Sequence, residues 1–255
     1  MTDKPTVEPY GALAGVYQSA GFAAYSLKIA PVMINLAFEI DWTGSTLLDL
    51  ACGTGDMACW FAGRGLRVRG IDLSTPMLVQ ARRLAAEGGM NAEFEVGDMR
   101  TFASPVQFDM VTCVGSSINY ASTLKELERV FRAAHAALAP GKLFMFDLRT
   151  ILGLSKAAES VRVVSDTPSH LILSRNHISY ETLTLTTHYT ILESSGDKNW
   201  KRAEEVHLLR GYPLQAVTRM LEQIGFKLVR SLTPEFELAE RVPDAEQLIF
   251  AAQKL

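Results

Sequence analysis

The run Asp49-Leu50-Ala51-Cys52-Gly53-Thr54-Gly55-Asp56 closes an apolar stretch with two glycines and passes at once into a helix-forming sequence. Glycines at such a turn let the backbone approach a ligand with no Cβ in the way. Taken alone, Gly53-x-Gly55-x-x-Ala58 also satisfies the relaxed dinucleotide fingerprint, so nearby acidic residues must discriminate. Asp72, in Gly70-Ile71-Asp72-Leu73-Ser74, ends the second strand, where a carboxylate can accept from both hydroxyls of an adenosine ribose. Asp49 stands just before the glycine turn, where a pyrophosphate would lie. A carboxylate there repels a dianion and attracts a cation. Asp98, in Val96-Gly97-Asp98-Met99, ends the third strand and can accept from an adenine amino group. Carboxylates at the carboxyl ends of successive strands make an electronegative crevice suited to a cationic ligand.

The elements that must position these acids follow from periodicity. Residues 47–51 form a short apolar run that predicts a buried parallel strand, followed by a helix over 56–64 and a second strand over 66–71. Thr75-Pro76 predicts a helix start, with Thr75 as cap and an apolar face of Met77, Leu78, Ala81, Leu84 and Ala85 that stops at Gly88-Gly89. Strands are predicted over 92–96 and 108–114. Thr123-Leu124-Lys125-Glu126 is a capping box opening a helix with a stripe of Leu124, Leu127, Phe131, Ala134 and Leu138, ended by Pro140-Gly141. A fifth strand covers 142–146. Strands alternating with helices predict a doubly wound, mostly parallel sheet. Residues 10–38 read as helical, in pieces broken near Gly21 and Pro31.

From 151 to 210 the rhythm changes. Runs over 171–180, 182–192 and 200–209 are strand-like, two of them separated by Ser194-Ser195-Gly196-Asp197, and predict a small antiparallel insertion. Residues 1–150 and 211–255 then make the core, with a helix over 214–224 and last strands over 226–231 and 247–253.

Bulk properties exclude several classes. The net charge of −3, with no basic stripe, gives no footprint for nucleic acid. Residues 1–5 lack the basic and apolar regions of a secretory signal, and no run reaches the ~18 apolar residues of a membrane span. The cysteines, Cys52, Cys59 and Cys113, are sparse and odd in number, which predicts reduced thiols in the cytoplasm. Cys52 and Cys113 read as small buried apolar residues. The histidines between 170 and 207 match no ligand spacing, so no metal is expected. His135 reads as a surface residue, Tyr10 and Tyr25 as packing, Arg210 as a structural brace, and Arg82-Arg83 and Glu204-Glu205 as solvated faces. Tyr17 serves packing and function readings equally.

Residues 10–147, with a weaker echo over 204–225, resemble the class I S-adenosylmethionine-dependent methyltransferases. Leu47-Leu48-Asp49-Leu50-Ala51-Cys52-Gly53-Thr54-Gly55 is similar to the family's first motif and Gly70-Ile71-Asp72-Leu73-Ser74 with Met77 to its second. Phe108-Asp109-Met110-Val111 and Ala139-Pro140-Gly141-Lys142 are similar to its later strand and turn motifs. The resemblance implies a seven-stranded sheet with an antiparallel last strand and S-adenosylmethionine as cofactor. It places the cofactor against Asp49, Ala51, Gly53 and Gly55, against Asp72, Leu73 and Met77, against Asp98 and Met99, and against Cys113, Val114 and Ser116, with Tyr17 on an N-terminal lid.

The finer resemblance is to small-molecule N-methyltransferases, the amino-sugar and glycine-methylating types. It rests on Tyr17, on the loop Cys113-Val114-Gly115-Ser116-Ser117-Ile118-Asn119-Tyr120, and on the insertion before His207-x-x-Arg210-x-Tyr212. One departure is that amino-sugar enzymes can carry a histidine where this chain has Tyr120. The implied reaction moves a methyl group to a small-molecule acceptor, an amine nitrogen, with Tyr17 and Tyr120 at the reacting groups beneath the insertion and no strong base in view. A small-molecule O-methyltransferase and a non-catalytic S-adenosylmethionine-binding protein are the alternatives. Asp49 and Asp98 argue against a nicotinamide enzyme. Expected partners are a small-molecule acceptor and, as an option, a second copy in a homodimer, with neither nucleic acid nor membrane.

Overall fold

The computed structural model describes residues 10–196, 199–242 and 244–255. Residues 1–5 and Asp197, on which two of the sequence readings fall, lie outside them.

The central sheet is assembled from β1 (Thr46–Leu50), β2 (Arg67–Asp72), β3 (Ala92–Val96), β4 (Phe108–Cys113) and β5 (Leu138–Arg149). A second sheet follows, of β6 (Val161–Asp166), β7 (His170–Ser179), β8 (Thr184–Ser194) and β9 (Trp200–Arg210). The chain then returns to the first sheet with β10 (Phe226–Leu232) and β11 (Gln247–Lys254). The order β10-β11-β5-β4-β1-β2-β3 is parallel from β3 to β5, while β11 runs antiparallel to both of its neighbours. This is the expected mostly parallel, doubly wound sheet of seven strands. The second sheet, order β6-β7-β8-β9, is antiparallel throughout.

Alternation along the strands sends Leu47, Val68, Met110, Leu143 and Met145 to one face, against α1 (Ala24–Glu39), α2 (Asp56–Ala62) and α3 (Thr75–Gly88). Leu48, Leu50, Val111, Phe144 and Phe146 go to the other, against α4 (Leu124–Ala137) and α6 (Leu214–Ile224). Each such side chain, fully buried, contributes roughly 1.5–3 kcal/mol. Both faces are covered, which explains why these strands read as nearly continuous apolar runs.

Several local expectations shift. The cap of α3 is Ser74, one residue before Thr75; its Oγ accepts from Met77 N at 3.4 Å. The capping box of α4 closes as read at Thr123, whose Oγ1 accepts from Glu126 N at 3.1 Å, but Glu126 reaches back to Ser122 N at 2.7 Å. That helix ends at Ala137, and Leu138 already belongs to β5. Pro31 does not break α1: its missing N–H deprives the carbonyl of Leu27 of a helical donor, and Leu27 lies on an exposed turn of the helix. Residues 10–23 form turns around a 3-10 turn at Leu13–Gly15 rather than helix. The N–H groups of Tyr10, Ala12 and Leu13 bond the Glu205 carboxylate instead of helical carbonyls. A short α5 (Ile151–Ala157), capped by Thr150, and the edge strand β6 were not foreseen.

Candidate active site

The sheet order reverses between β1 and β4, and a crevice opens there beyond the carboxyl ends of the strands. It is a cavity of about 620 Å³, bounded by the turn after β1, the ends of β2 and β3, the loop after β4, and residues 10–26.

Asp49 is buried, and its Oδ1 accepts from Thr112 Oγ1 at 2.7 Å. Burial raises its pKa to about 7, against the Thr112 hydrogen bond and with a further upward push from Asp72. A cation brought into the cavity would stabilise the ionised form. Asp72 accepts from Gly53 N at 2.9 Å and Ser74 N at 2.8 Å, so it braces the glycine turn and the start of α3 together. Burial raises its pKa too, partly offset by those N–H groups. Gly53 has φ +55, and a Cβ built there would meet no atom within 4 Å. Its side-chain space therefore belongs to the cavity.

Asp98 is held by Arg100, whose Nε lies 2.9 Å and 3.0 Å from the carboxylate oxygens; the Arg100 hydrogen bonds keep its pKa below the ordinary value. Arg100 also reaches Glu126 at 3.1 Å. Asp98 thus offers a ligand only the lone pairs Arg100 leaves free.

The opposite wall is aromatic. Tyr10, Tyr17 and Tyr120 all line the cavity. Tyr10 Oη lies 2.7 Å from Tyr120 Oη, Tyr120 Oη 2.6 Å from His207 Nδ1, and His207 Nε2 2.9 Å from Glu205 Oε2. Tyr17 stacks on Phe22, and its ring meets that of Tyr10 edge-on. Gln18 ties this segment to α2 through Asp56 at 2.9 Å. Burial raises the pKa of Tyr17 and Tyr120, which keeps both hydroxyls protonated at neutral pH.

Residues 47–141 match a family model described as a methyltransferase domain. A Bacillus subtilis (strain 168) protein, YqeM, itself only provisionally assigned as a methyltransferase, is 28% identical over 82% of this chain and 83% of its own. The dTDP-4-amino-2,3,4,6-tetradeoxy-D-glucose N,N-dimethyltransferase of Saccharopolyspora spinosa is 29% identical over 71% of each chain. The crystal structure of an S-adenosylmethionine-dependent methyltransferase from Clostridium acetobutylicum ATCC 824 superposes with a TM-score of 0.84 at 21% identity, covering 96% of this chain and 98% of that one. This chain is an S-adenosylmethionine-dependent methyltransferase.

The donor set suits that cofactor: carboxylates where its cationic and hydroxyl groups would need acceptors, and a glycine turn with no Cβ between them. Of the residues expected to touch it, Tyr17, Asp49, Ala51, Gly53, Asp72, Leu73, Met77, Asp98, Met99 and Val114 line the methyltransferase's cavity. Gly55, Cys113 and Ser116 stand outside the lining. Gly55 is packed under Ala81 and Phe94, Cys113 is buried with its Sγ 4.0 Å from Met99 Sδ, and the N–H of Ser116 turns to Asp147. Ser117 lines the cavity instead.

Other readings need larger corrections. Glu205 is not a solvated residue but fully buried, because the backbone of residues 10–13 closes over it. Tyr10 borders the cavity rather than only packing. No described residue of 151–211 lines it: Leu13 and Val16 bury against Ile172 and Ile191, so the N-terminal segment lies between sheet and cavity. Arg100 and His207 were missed as site residues: no local pattern marks Arg100, and His207 stood only in the run His207-x-x-Arg210-x-Tyr212 without a role. Among the described residues no helix is long and apolar enough to cross a membrane, and no cluster of His, Cys, Asp and Glu could hold a metal ion.

Proposed function

We propose that this methyltransferase modifies the nitrogen of a small-molecule amine, with an amino sugar carried on a nucleotide as the class of acceptor. The observation that carries this is the row of hydroxyls, Tyr10, Tyr17 and Tyr120, facing a cavity whose other wall is carboxylate. Such a pocket accepts hydrogen bonds from an amine and tolerates positive charge. The activity in the name of the Saccharopolyspora spinosa relative supports the same acceptor class. S-adenosylmethionine, when bound, supplies an electrophilic sulfonium methyl group.

In this reading Asp49 faces the cationic end of the cofactor, Asp72 its ribose, and the stretch from Asp98 to Arg100 its adenine. Gly53, Leu73, Met77 and Val114 shape the walls. Tyr17 and Tyr120 orient the acceptor, and the antiparallel sheet backs the N-terminal lid rather than roofing the acceptor directly. Alignment of the reacting atoms supplies the largest part of the rate, since a displacement of ~1 Å costs about a hundredfold. The enzyme works in the cytoplasm on free metabolites, consistent with its net charge of −3 and the absence of a long apolar helix among the described residues.

The test pairs a dTDP-4-amino-deoxysugar with its 4-hydroxy counterpart and a catechol, each with S-adenosylmethionine, read by mass spectrometry. Methylation of the amine alone is expected. Methylation confined to the hydroxyl compounds would replace this reading with an O-methyltransferase. Tight S-adenosylhomocysteine binding without turnover on any of them would count against it.

A further inference from the structure

We propose that Tyr10, Tyr120, His207 and Glu205 form a directed proton relay that takes the proton from the acceptor nitrogen and leaves it on His207. The inference rests on the amine reading above.

The direction of every hydrogen bond in the chain follows from its buried end. Glu205 is fully buried, and its carboxylate receives the backbone N–H of Tyr10 at 2.8 Å and of Leu13 at 2.9 Å. Burial pushes its pKa up, but these N–H groups and His207 outweigh that and hold it below the ordinary value. An ionised carboxylate only accepts. His207 Nε2, 2.9 Å away, must therefore carry a hydrogen, and in the neutral ring this leaves Nδ1 as a bare acceptor. Tyr120 Oη, 2.6 Å from Nδ1, then donates to it, and Tyr10 Oη donates to Tyr120. Among the described residues the Tyr10 hydroxyl makes no other hydrogen bond, so both its lone pairs remain for a ligand in the cavity it lines.

The outcome is a cavity-facing acceptor wired to a buried base. An acceptor ammonium must shed one proton before its lone pair can attack. That proton passes to Tyr10 Oη, the Tyr10 proton to Tyr120 Oη, and the Tyr120 proton to His207 Nδ1. Each oxygen ends as it began, and the imidazolium stays paired with the Glu205 carboxylate. No tyrosinate accumulates, which matters because burial raises the pKa of both Tyr10 and Tyr120. The groups facing His207 are Tyr10 and Tyr120 on the cavity side, Tyr189 from β8 at a ring distance of 5.1 Å, and Glu205 on its own strand. Arg149 acts on Tyr189 from β5. Tyr10 and Tyr120 are the residues that would touch the acceptor; His207 and Glu205 act through them as positioning residues.

The same Glu205 that fixes the tautomer also ties down residues 10–13. The relay therefore exists only when the lid is closed.

Imidazole nitrogen NMR on the labelled full chain tests this, with His207 assigned through His207→Asn. In the S-adenosylhomocysteine complex at neutral pH, His207 should show a protonated Nε2 and a bare Nδ1. A protonated Nδ1 there overturns the wiring whatever the acceptor turns out to be. Adding a dTDP-4-amino-deoxysugar to that complex should convert His207 to the imidazolium. If the amine binds and His207 stays neutral, the relay fails while the amine reading stands. If the amine does not bind, the amine reading fails and the tautomer alone decides the wiring.

Kinetically, His207→Asn and Tyr120→Phe should each lower kcat roughly a hundredfold near pH 7, a loss that shrinks as pH rises. Cofactor KM and S-adenosylhomocysteine affinity should not change. A loss of equal size at every pH, or one carried by KM, would mean that these residues only shape the pocket.

Discussion

The carboxylate of Asp49 and the hydroxyl of Thr112 meet at 2.7 Å across neighbouring strands, in a part of the sheet where both are buried. This single hydrogen bond is too little to keep Asp49 fully ionised at neutral pH, and burial raises its pKa to about 7. A cation bound in front of it favours the ionised form and lowers that value. S-adenosylmethionine affinity should therefore climb with pH up to about 7 and level off above it, with proton release on binding below that point. Calorimetry between pH 6 and 8 reads the slope, and Asp49→Asn should abolish it while weakening binding about tenfold.

The same shift has an opposite sign for the unliganded fold. A carboxyl whose folded pKa lies above its unfolded value of about 4 loses stability as pH rises between the two. Asp147, pushed by burial to about 6 against the N–H of Ser116 and the Gln247 amide, adds to the effect. The apo-enzyme should melt at a lower temperature at pH 8 than at pH 5.5. Asp49→Asn should narrow that gap and raise the Tm at pH 8, although it impairs cofactor binding. A Tm that rises monotonically from pH 5.5 to 8 in both proteins would contradict this account.

Gly53 and Gly55 stand two residues apart and should fail differently. Both have positive φ, so alanine is strained at either, by about 1 kcal/mol. At Gly55 a Cβ would also lie 2.8 Å from Ala81 Cβ and 2.9 Å from Phe94 Cζ. Gly55→Ala should therefore lower thermal stability by a further ~1–3 kcal/mol. Gly53→Ala should fold nearly as well as the parent and lose S-adenosylhomocysteine affinity, since its methyl enters the cavity.

Asp72 carries two duties, bracing Gly53 and Ser74 and offering its remaining lone pairs to the ligand. Asp72→Ala removes a charge-assisted acceptor worth roughly 1.5–3 kcal/mol, so S-adenosylhomocysteine affinity should drop at least about tenfold. Asp72→Asn, which keeps one acceptor oxygen, should lose less. Equal affinity in all three proteins would show that Asp72 serves the turn alone.

Glu205 should behave as the fastening of the N-terminal lid. Glu205→Ala leaves the N–H groups of Tyr10, Ala12 and Leu13 without their acceptor, at a cost of roughly 1–3 kcal/mol each where they stay buried. Cleavage within residues 10–20 by a protease should accelerate, while the sheet keeps its amide protection. Because its folded pKa lies below the ordinary value, this contribution is complete at neutral pH and disappears only as pH falls through that lowered value.

The strand, glycine turn and helix from Leu47 to Phe61, the acids Asp49, Asp72 and Asp98, and the capping box at Thr123 were legible in the sequence. Each depends on residues close together along the chain: a period of two or of 3.6, a positive φ that only glycine adopts cheaply, a side chain three residues from the N–H it caps. The mostly parallel, doubly wound character of the central sheet also followed from the alternation of strand and helix, whereas its seven strands and antiparallel last strand came from the family resemblance and their order only from the structure.

Tyr17 and Tyr120 were placed at the site by the resemblance, but the entry of Tyr10 into the aromatic wall and the wiring through His207 to Glu205 were decided by tertiary structure. Glu204 and Glu205 are adjacent and alike in sequence, yet they point to opposite faces of β9. The face that carries Glu205 is covered by a backbone segment 193 residues earlier, at Ala12. Tyr10, Tyr120 and His207 come from three distant parts of the chain and meet within hydrogen-bond reach. No local periodicity encodes such a meeting; it exists because Leu13 and Val16 bury against Ile172 and Ile191 and carry Tyr10 into place. A carboxylate pair on a strand reads as solvated until something is known to cover it, and a tyrosine on a turn reads as packing until its hydroxyl finds a partner. Those are properties of contacts between elements, which the packing of the second sheet on the N-terminal segment creates.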